Sequence, residues 1–167
     1  MPLARLGRRF ASLVYESLLL VAIVFVASFV LLPLVTPGHA GSAAELTVPA
    51  LPQRVALACM LFAILAAYFG WCWSGGRRTL AMKTWRLRLA LADGASALPA
   101  RTALARYLAT WIGPALALTA YAALHRQGLG AHATWLVAFN FLWAFVDPAR
   151  QFLHDRIAGT RIVDAVR

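Results

Sequence analysis

The sequence predicts an all-α membrane protein: four transmembrane helices, both termini cytoplasmic, and a small cytoplasmic pairing of strands at 85–91 and 160–163. Three observations carry that prediction. Hydrophobic residues make up 62% of the 167 and charged residues only 13%, against about 45–50% and about 25% in soluble domains. A water-soluble fold of this size has too little interior to bury so much apolar surface. Apolar stretches recur at about 10–34, 55–73, 107–124 and 128–146, near the roughly twenty residues a helix needs to cross a hydrocarbon core of ~30 Å. The third observation is where the charges sit.

The chain carries 16 Lys and Arg against six acids, a net charge of +10. All the cations except Arg54 and Arg126 fall in the N-terminal segment, in 74–106, or in the tail beyond 146. In a four-span chain these three segments share one side of the bilayer, so the pattern is positive-inside with both termini in the cytoplasm. The same segregation accounts for the basic balance, so the expected partner is the lipid bilayer and no nucleic acid.

Span one, "FASLVYESLLLVAIVFVASFVLLPL", is broken only by Glu16 before Pro33. A signal peptide competes for this stretch, but its apolar run exceeds the ~7–15 residues of a signal core and contains an acid, which favours a retained helix. Residues 35–54, with His39 and Glu45, are rich in Pro, Gly and small residues and read as a solvated external loop. Span two holds both cysteines, Cys59 and Cys72; on one helix they lie about 20 Å apart, too far for a disulfide. No Cys/His metal spacing is present.

Between spans two and three, "GGRRT" makes a turn, and "WRLRLALADG" alternates: Trp85, Leu87, Leu89 and Leu91 on one side, Arg86 and Arg88 on the other. That period and the closing Asp-Gly give a strand and a turn. "TRIV" at 160–163 is the β-prone segment on the same side. An interfacial amphipathic helix is the competing reading of 85–91. A helix then starts near Ser96 or Pro99, with Arg101 and Arg106 at the headgroups. Gly113-Pro114 kinks span three. The short "HRQGLGAH" makes spans three and four antiparallel neighbours, and span four carries Asn140 as an interhelical hydrogen-bonder.

Glu16 is the ionisable residue deep in span one, roughly 9 Å past Phe10 at 1.5 Å per residue. Arg5, Arg9, Ser12 and Glu16 follow 4-3-4 spacing and form one polar stripe. The stripe admits two readings: a proton or cation site at Glu16, or a static ion pair with an arginine near the cytoplasmic boundary.

Three pieces, "RRFASLVYE" (8–16), "GGRRTLAMKTWRLRLALADG" (75–94) and "RQFLHDRIAGTRIV" (150–163), together resemble the RDD family, small integral membrane proteins named for one Arg and two Asp. The naming trio falls on Arg9 (or Arg8), Glu16 and Asp155, with His154 and Arg156 beside the last. Glu16 stands where the family usually has Asp, and Ala81 where it usually has Gly. The resemblance implies an inner-membrane protein suspected of transport, with cation/proton antiport ascribed to some members. The expectation is therefore a homo-oligomeric carrier of a proton or monovalent cation, in which Arg9 and Asp155 control Glu16. A membrane scaffold with Arg9, Glu16 and Asp155 as a static ion-pair network is the alternative. With no activated nucleophile, paired-acid spacing or phosphate-binding glycine loop, neither an enzyme nor a cofactor is expected.

Overall fold

The computed structural model describes residues 3–35 and 49–165; most of the predicted external loop, with His39 and Glu45, lies outside the described residues. Helix α1 (Leu6–Val35) and helix α2 (Leu51–Trp73) are the first two spans. Of α1's thirty residues, only Arg9, Ser12 and Glu16 are buried. Val14, Leu18, Val21, Phe25 and Phe29 on the same helix are exposed. This is the arrangement expected of a helix whose surroundings are apolar: the polar stripe turns inward.

After α2 the chain makes a short helix, α3 (Leu80–Thr84), capped by Thr79, whose hydroxyl accepts from the Met82 amide at 3.2 Å. It then enters strand β1 (Leu87–Leu91). The predicted strand begins two residues later than expected because Trp85 is the C-cap of α3 and Arg86 turns the chain with a φ of 52°. Near the other end of the chain, α7 (Leu153–Ile157) leads into β2 (Thr160–Asp164). The two strands pair antiparallel, Leu87 opposite Asp164 and Leu91 opposite Thr160. Leu87, Leu89 and Ile162 point into the core, which they share with Leu98, Tyr107 and Phe152. The core thus sits at the ribbon end of the molecule, while the helix shafts expose their apolar residues.

Helix α4 (Ala100–Thr110), preceded by Pro99 as its N-cap, and helix α5 (Ile112–Leu124) form one long rod interrupted at Trp111. The break follows from Pro114, which has no amide hydrogen to give Thr110, four residues earlier. Together with the short 3-10 turn at His125–Gln127, the rod is the third helix long and apolar enough to cross a membrane.

The expected fourth span differs in winding. Residues 128–146 hold a 3-10 stretch (Gly130–Ala138), the four-residue helix α6 (Phe139–Leu142) and a 3-10 turn (Trp143–Phe145). Three helices among the described residues, not four, meet the length and apolarity of a membrane-crossing α-helix. The 3-10 stretch lies tight against α5: a Cβ on Gly113 would stand 2.7 Å from the Val137 carbonyl oxygen. Asn140 is fully buried and donates from Nδ2 to the carbonyls of Thr110 (2.6 Å) and Ala109 (3.1 Å). Its side chain therefore replaces the donor that Pro114 withholds.

Candidate functional site

The two N-terminal arginines divide the work at the ribbon end. Arg8 meets Asp164 of β2 at 2.5 Å and donates to the carbonyls of Trp85 and, at 3.3 Å, Arg86. Arg9 turns the other way, under the ring of Phe152 at 5.0 Å, and donates from Nη2 to the Arg150 carbonyl. Arg86 and Arg150 are the two non-glycine residues with positive φ among those described. Each arginine of the doublet therefore holds a carbonyl at a left-handed bend, one just before β1 and one shortly before α7. Arg9 is 2% exposed, yet its Nε and Nη1 have no acceptor.

Seven residues further along α1, Glu16 accepts from the Tyr68 hydroxyl at 2.9 Å and from the Thr79 hydroxyl at 2.5 Å. Thr79 is the capping residue of α3, so one hydroxyl closes a helix and binds the carboxylate together. No Arg, Lys or His lies within ion-pair distance of Glu16 among the described residues.

Asp155 has a different environment. Arg106 of α4 approaches its Oδ1 with both Nε and Nη2 at 2.8 Å, and Thr160 donates to the same oxygen at 3.0 Å. The pair is 4% and 1% exposed at the side chains, and the guanidinium stacks on the Trp73 ring at 4.2 Å. Burial alone would raise the Asp155 pKa, but Arg106, His154 and the Arg106 and Thr160 hydrogen bonds outweigh it, and the carboxyl titrates below its ordinary value. His154 lies 3.9 Å from the second oxygen of Asp155 and is buried between Phe141 and Phe152. Burial pushes its pKa down to about 4, the pull of Asp155 being too weak to compensate, so the imidazole is neutral at pH 7. Arg156, by contrast, is exposed and reaches Asp147 at 3.8 Å, whose other oxygen accepts from the Gln151 amide.

Of the expected stripe of Arg5, Arg9, Ser12 and Glu16, the last three are buried as one face, while Arg5 is exposed. The expected trio does not form a direct network: Arg9 bonds a backbone carbonyl, Glu16 two hydroxyls, and Asp155 the guanidinium of Arg106. Arg106 was expected at the headgroups and is instead the buried partner of Asp155. Its place was readable from Ala103, Arg106 and Tyr107, which share one buried face of α4 at i, i+3, i+4. Tyr68 and Thr79 carry no such signal, since nothing local ties them to an acid 52 and 63 residues away.

Arg9, Ser12, Glu16, Arg106 and His154 all line one cavity of about 150 Å³, walled otherwise by Leu13, Leu20, Phe69, Phe141 and Phe152. The arrangement presents a cation with spare donors at one end and a carboxylate two helical turns deeper. No group of three or more His, Cys, Asp or Glu capable of holding a metal occurs among the described residues. Comparison with curated proteins and with solved structures gives no significant match. The sequence model of the RDD family, however, matches residues 3–159, a stretch that holds the Arg8-Arg9 doublet, the Thr79 cap and the Arg106–Asp155 pair alike; the chain belongs to the RDD family.

Proposed function

We propose that this chain is a cytoplasmic-membrane protein in which Glu16 exchanges a proton or monovalent cation, while the Arg106–Asp155 pair is permanent. One observation carries the reading. Among the described buried carboxylates, Asp155 and Asp147 have arginine partners and Glu16 has none, yet Glu16 borders a cavity. A buried carboxylate held only by neutral hydroxyls is the one that can take up a proton or admit a cation with the least rearrangement. Asp155, already neutralised by Arg106, has no such capacity.

Four spans with both termini in the cytoplasm remain the reading of the topology. Twelve 3-10 residues at ~2.0 Å and four α residues at ~1.5 Å give residues 130–145 a rise of about 30 Å, enough to cross the hydrocarbon with fewer residues than an α-helix needs. Four spans barely enclose a pathway, so self-association belongs to the proposal. Reporters fused after Gly41 and after Gly94 should report opposite sides of the membrane.

The test is cation-driven proton flux in vesicles containing the purified protein, for wild type, Glu16→Asp and Glu16→Gln. Flux that survives in Glu16→Asp and vanishes in a folded Glu16→Gln supports exchange. No wild-type flux with Na⁺, K⁺ or Li⁺ eliminates it. The second reading, a non-catalytic membrane scaffold, is favoured by the static clamps of Arg8, Arg9 and Arg106, and it then stands.

A further inference from the structure

The Arg9 end of the cavity is unexplained by ion exchange at Glu16. Arg9 is buried, charged, and spends one of its nitrogens on a backbone carbonyl, leaving Nε and Nη1 without an acceptor. The other charges nearby cannot supply one. Asp155 takes Arg106 and Thr160 on Oδ1, its Oδ2 forms no hydrogen bond to Arg9, and the two oxygens of Glu16 accept from Tyr68 and Thr79. A guanidinium with free donors in a cavity is a receptor for an oxyanion.

The rest of the cavity says what the oxyanion is attached to. Besides its polar lining, which includes Glu16, Arg106 and His154, the cavity has apolar walls that include Leu13, Leu20, Phe69 and Phe141. From Arg9 to Leu20 is eleven residues, about 16 Å of helix rise, which matches one leaflet of a ~30 Å hydrocarbon core. Glu16 lies about 10 Å deeper than Arg9 along the same helix, so it repels an anion from the apolar end and confines it to the mouth. A small inorganic anion would satisfy Arg9 and leave the apolar walls unfilled. We propose that the cavity binds an anionic glycerophospholipid, with its phosphate on Arg9 and the start of an acyl chain between α1 and Phe141. Its volume of about 150 Å³ holds the phosphate and the first few methylenes, and the remaining chain lies in the bilayer.

The full-length protein in neutral detergent is titrated with dioctanoyl phosphatidylglycerol while its thermal unfolding midpoint is followed, with sodium phosphate as a parallel titrant. The midpoint should rise saturably with the lipid and stay unchanged with phosphate. Arg9→Gln should require at least about tenfold more lipid for the same rise, the loss of charge-assisted hydrogen bonds. Arg5→Gln, which removes an exposed charge from the same segment, should shift the titration by no more than about twofold. Leu13→Trp fills the apolar wall without touching a charge and should weaken the lipid as strongly as Arg9→Gln, which keeps the test decisive if the arginine variant does not fold. A rise that never saturates, equal effects of Arg5→Gln and Arg9→Gln, a wild-type titration in Leu13→Trp, or phosphate acting as well as the lipid would each overturn the proposal.

Discussion

Removing one charge of the Arg106–Asp155 pair should be the most damaging conservative change in the molecule. In Asp155→Asn the shape is kept and Thr160 can still donate to the amide oxygen, but the guanidinium of Arg106 loses its counter-charge while 4% exposed. Breaking a pair this deeply buried costs about 3–5 kcal/mol, because the surviving charge stays out of water without compensation. For a chain of this length that corresponds to a fall of about 6–20 °C in the unfolding midpoint. Arg106→Met should cost a similar amount, leaving Asp155 with Thr160 as its remaining donor.

The double variant Arg106→Met/Asp155→Asn distinguishes a static pair from two independent residues. Removing both charges together relieves the penalty that either single change creates, so the double variant should lie well above the sum of the singles, with a coupling of several kcal/mol. The assay is reversible unfolding in mixed micelles by a denaturing detergent, followed by far-ultraviolet circular dichroism. Singles costing under about 1 kcal/mol, or a double variant that is simply additive, would refute the assignment of this pair as the permanent clamp.

Acid should act in two windows. His154 binds its proton at about 4 in the folded protein and about 6.5 when unfolded, so its contribution is complete above pH ~6.5 and falls by about 3 kcal/mol as pH drops to ~4; stability curves of wild type and His154→Gln should diverge across that interval. Asp155, held below its ordinary pKa, contributes above pH ~4 and loses that contribution at lower pH, a loss absent from Asp155→Asn. Asn140→Leu should cost about 1–2 kcal/mol by orphaning the Thr110 carbonyl, and Pro114→Ala should restore part of it by returning the missing amide donor; no rescue would show that Asn140 acts elsewhere. Gly113→Ala should cost about 1–3 kcal/mol, because its Cβ would meet the Val137 carbonyl oxygen at 2.7 Å and the 3-10 stretch must move.

Those expectations show where sequence reasoning succeeded and where it could not. The buried face of Arg9, Ser12 and Glu16 was legible because a long apolar helix makes every polar residue conspicuous, and 3-4 spacing places them on one face whatever the tertiary fold; Arg5, one turn earlier, is exposed just before the helix begins. The ribbon was legible because Leu-Arg alternation has a period of two, and its partner was the remaining β-prone segment on the same side. The break near Pro114 was legible from a missing amide, a property of one residue. The winding of 130–138 was not. A run such as "ATWLVAF" is apolar on every side, so neither a period of 3.0 nor one of 3.6 leaves a trace in it. Helix α3 escaped for a related reason: five residues are too few to show a period, and its signal was Thr79 alone.

The candidate site divides along the same line. Burial of Glu16 follows from its own helix, but its freedom from a cation follows from where Tyr68, Thr79 and Arg106 arrive, 52 to 90 residues away in the chain. The three acids and arginines of the motif look alike in the sequence, and an apolar environment would penalise each of them alike if left alone. What separates them is which one has been given its opposite charge. Arg106 takes Asp155, Arg156 takes Asp147, Arg8 takes Asp164, and among the described buried arginines and acids Arg9 and Glu16 are in no ion pair. Both face one cavity, about 10 Å apart along α1. These two opposite charges share one helix face, and each is hydrogen-bonded to neutral groups instead of to the other. The proposed exchange at Glu16 and the proposed lipid at Arg9 would each use one of them.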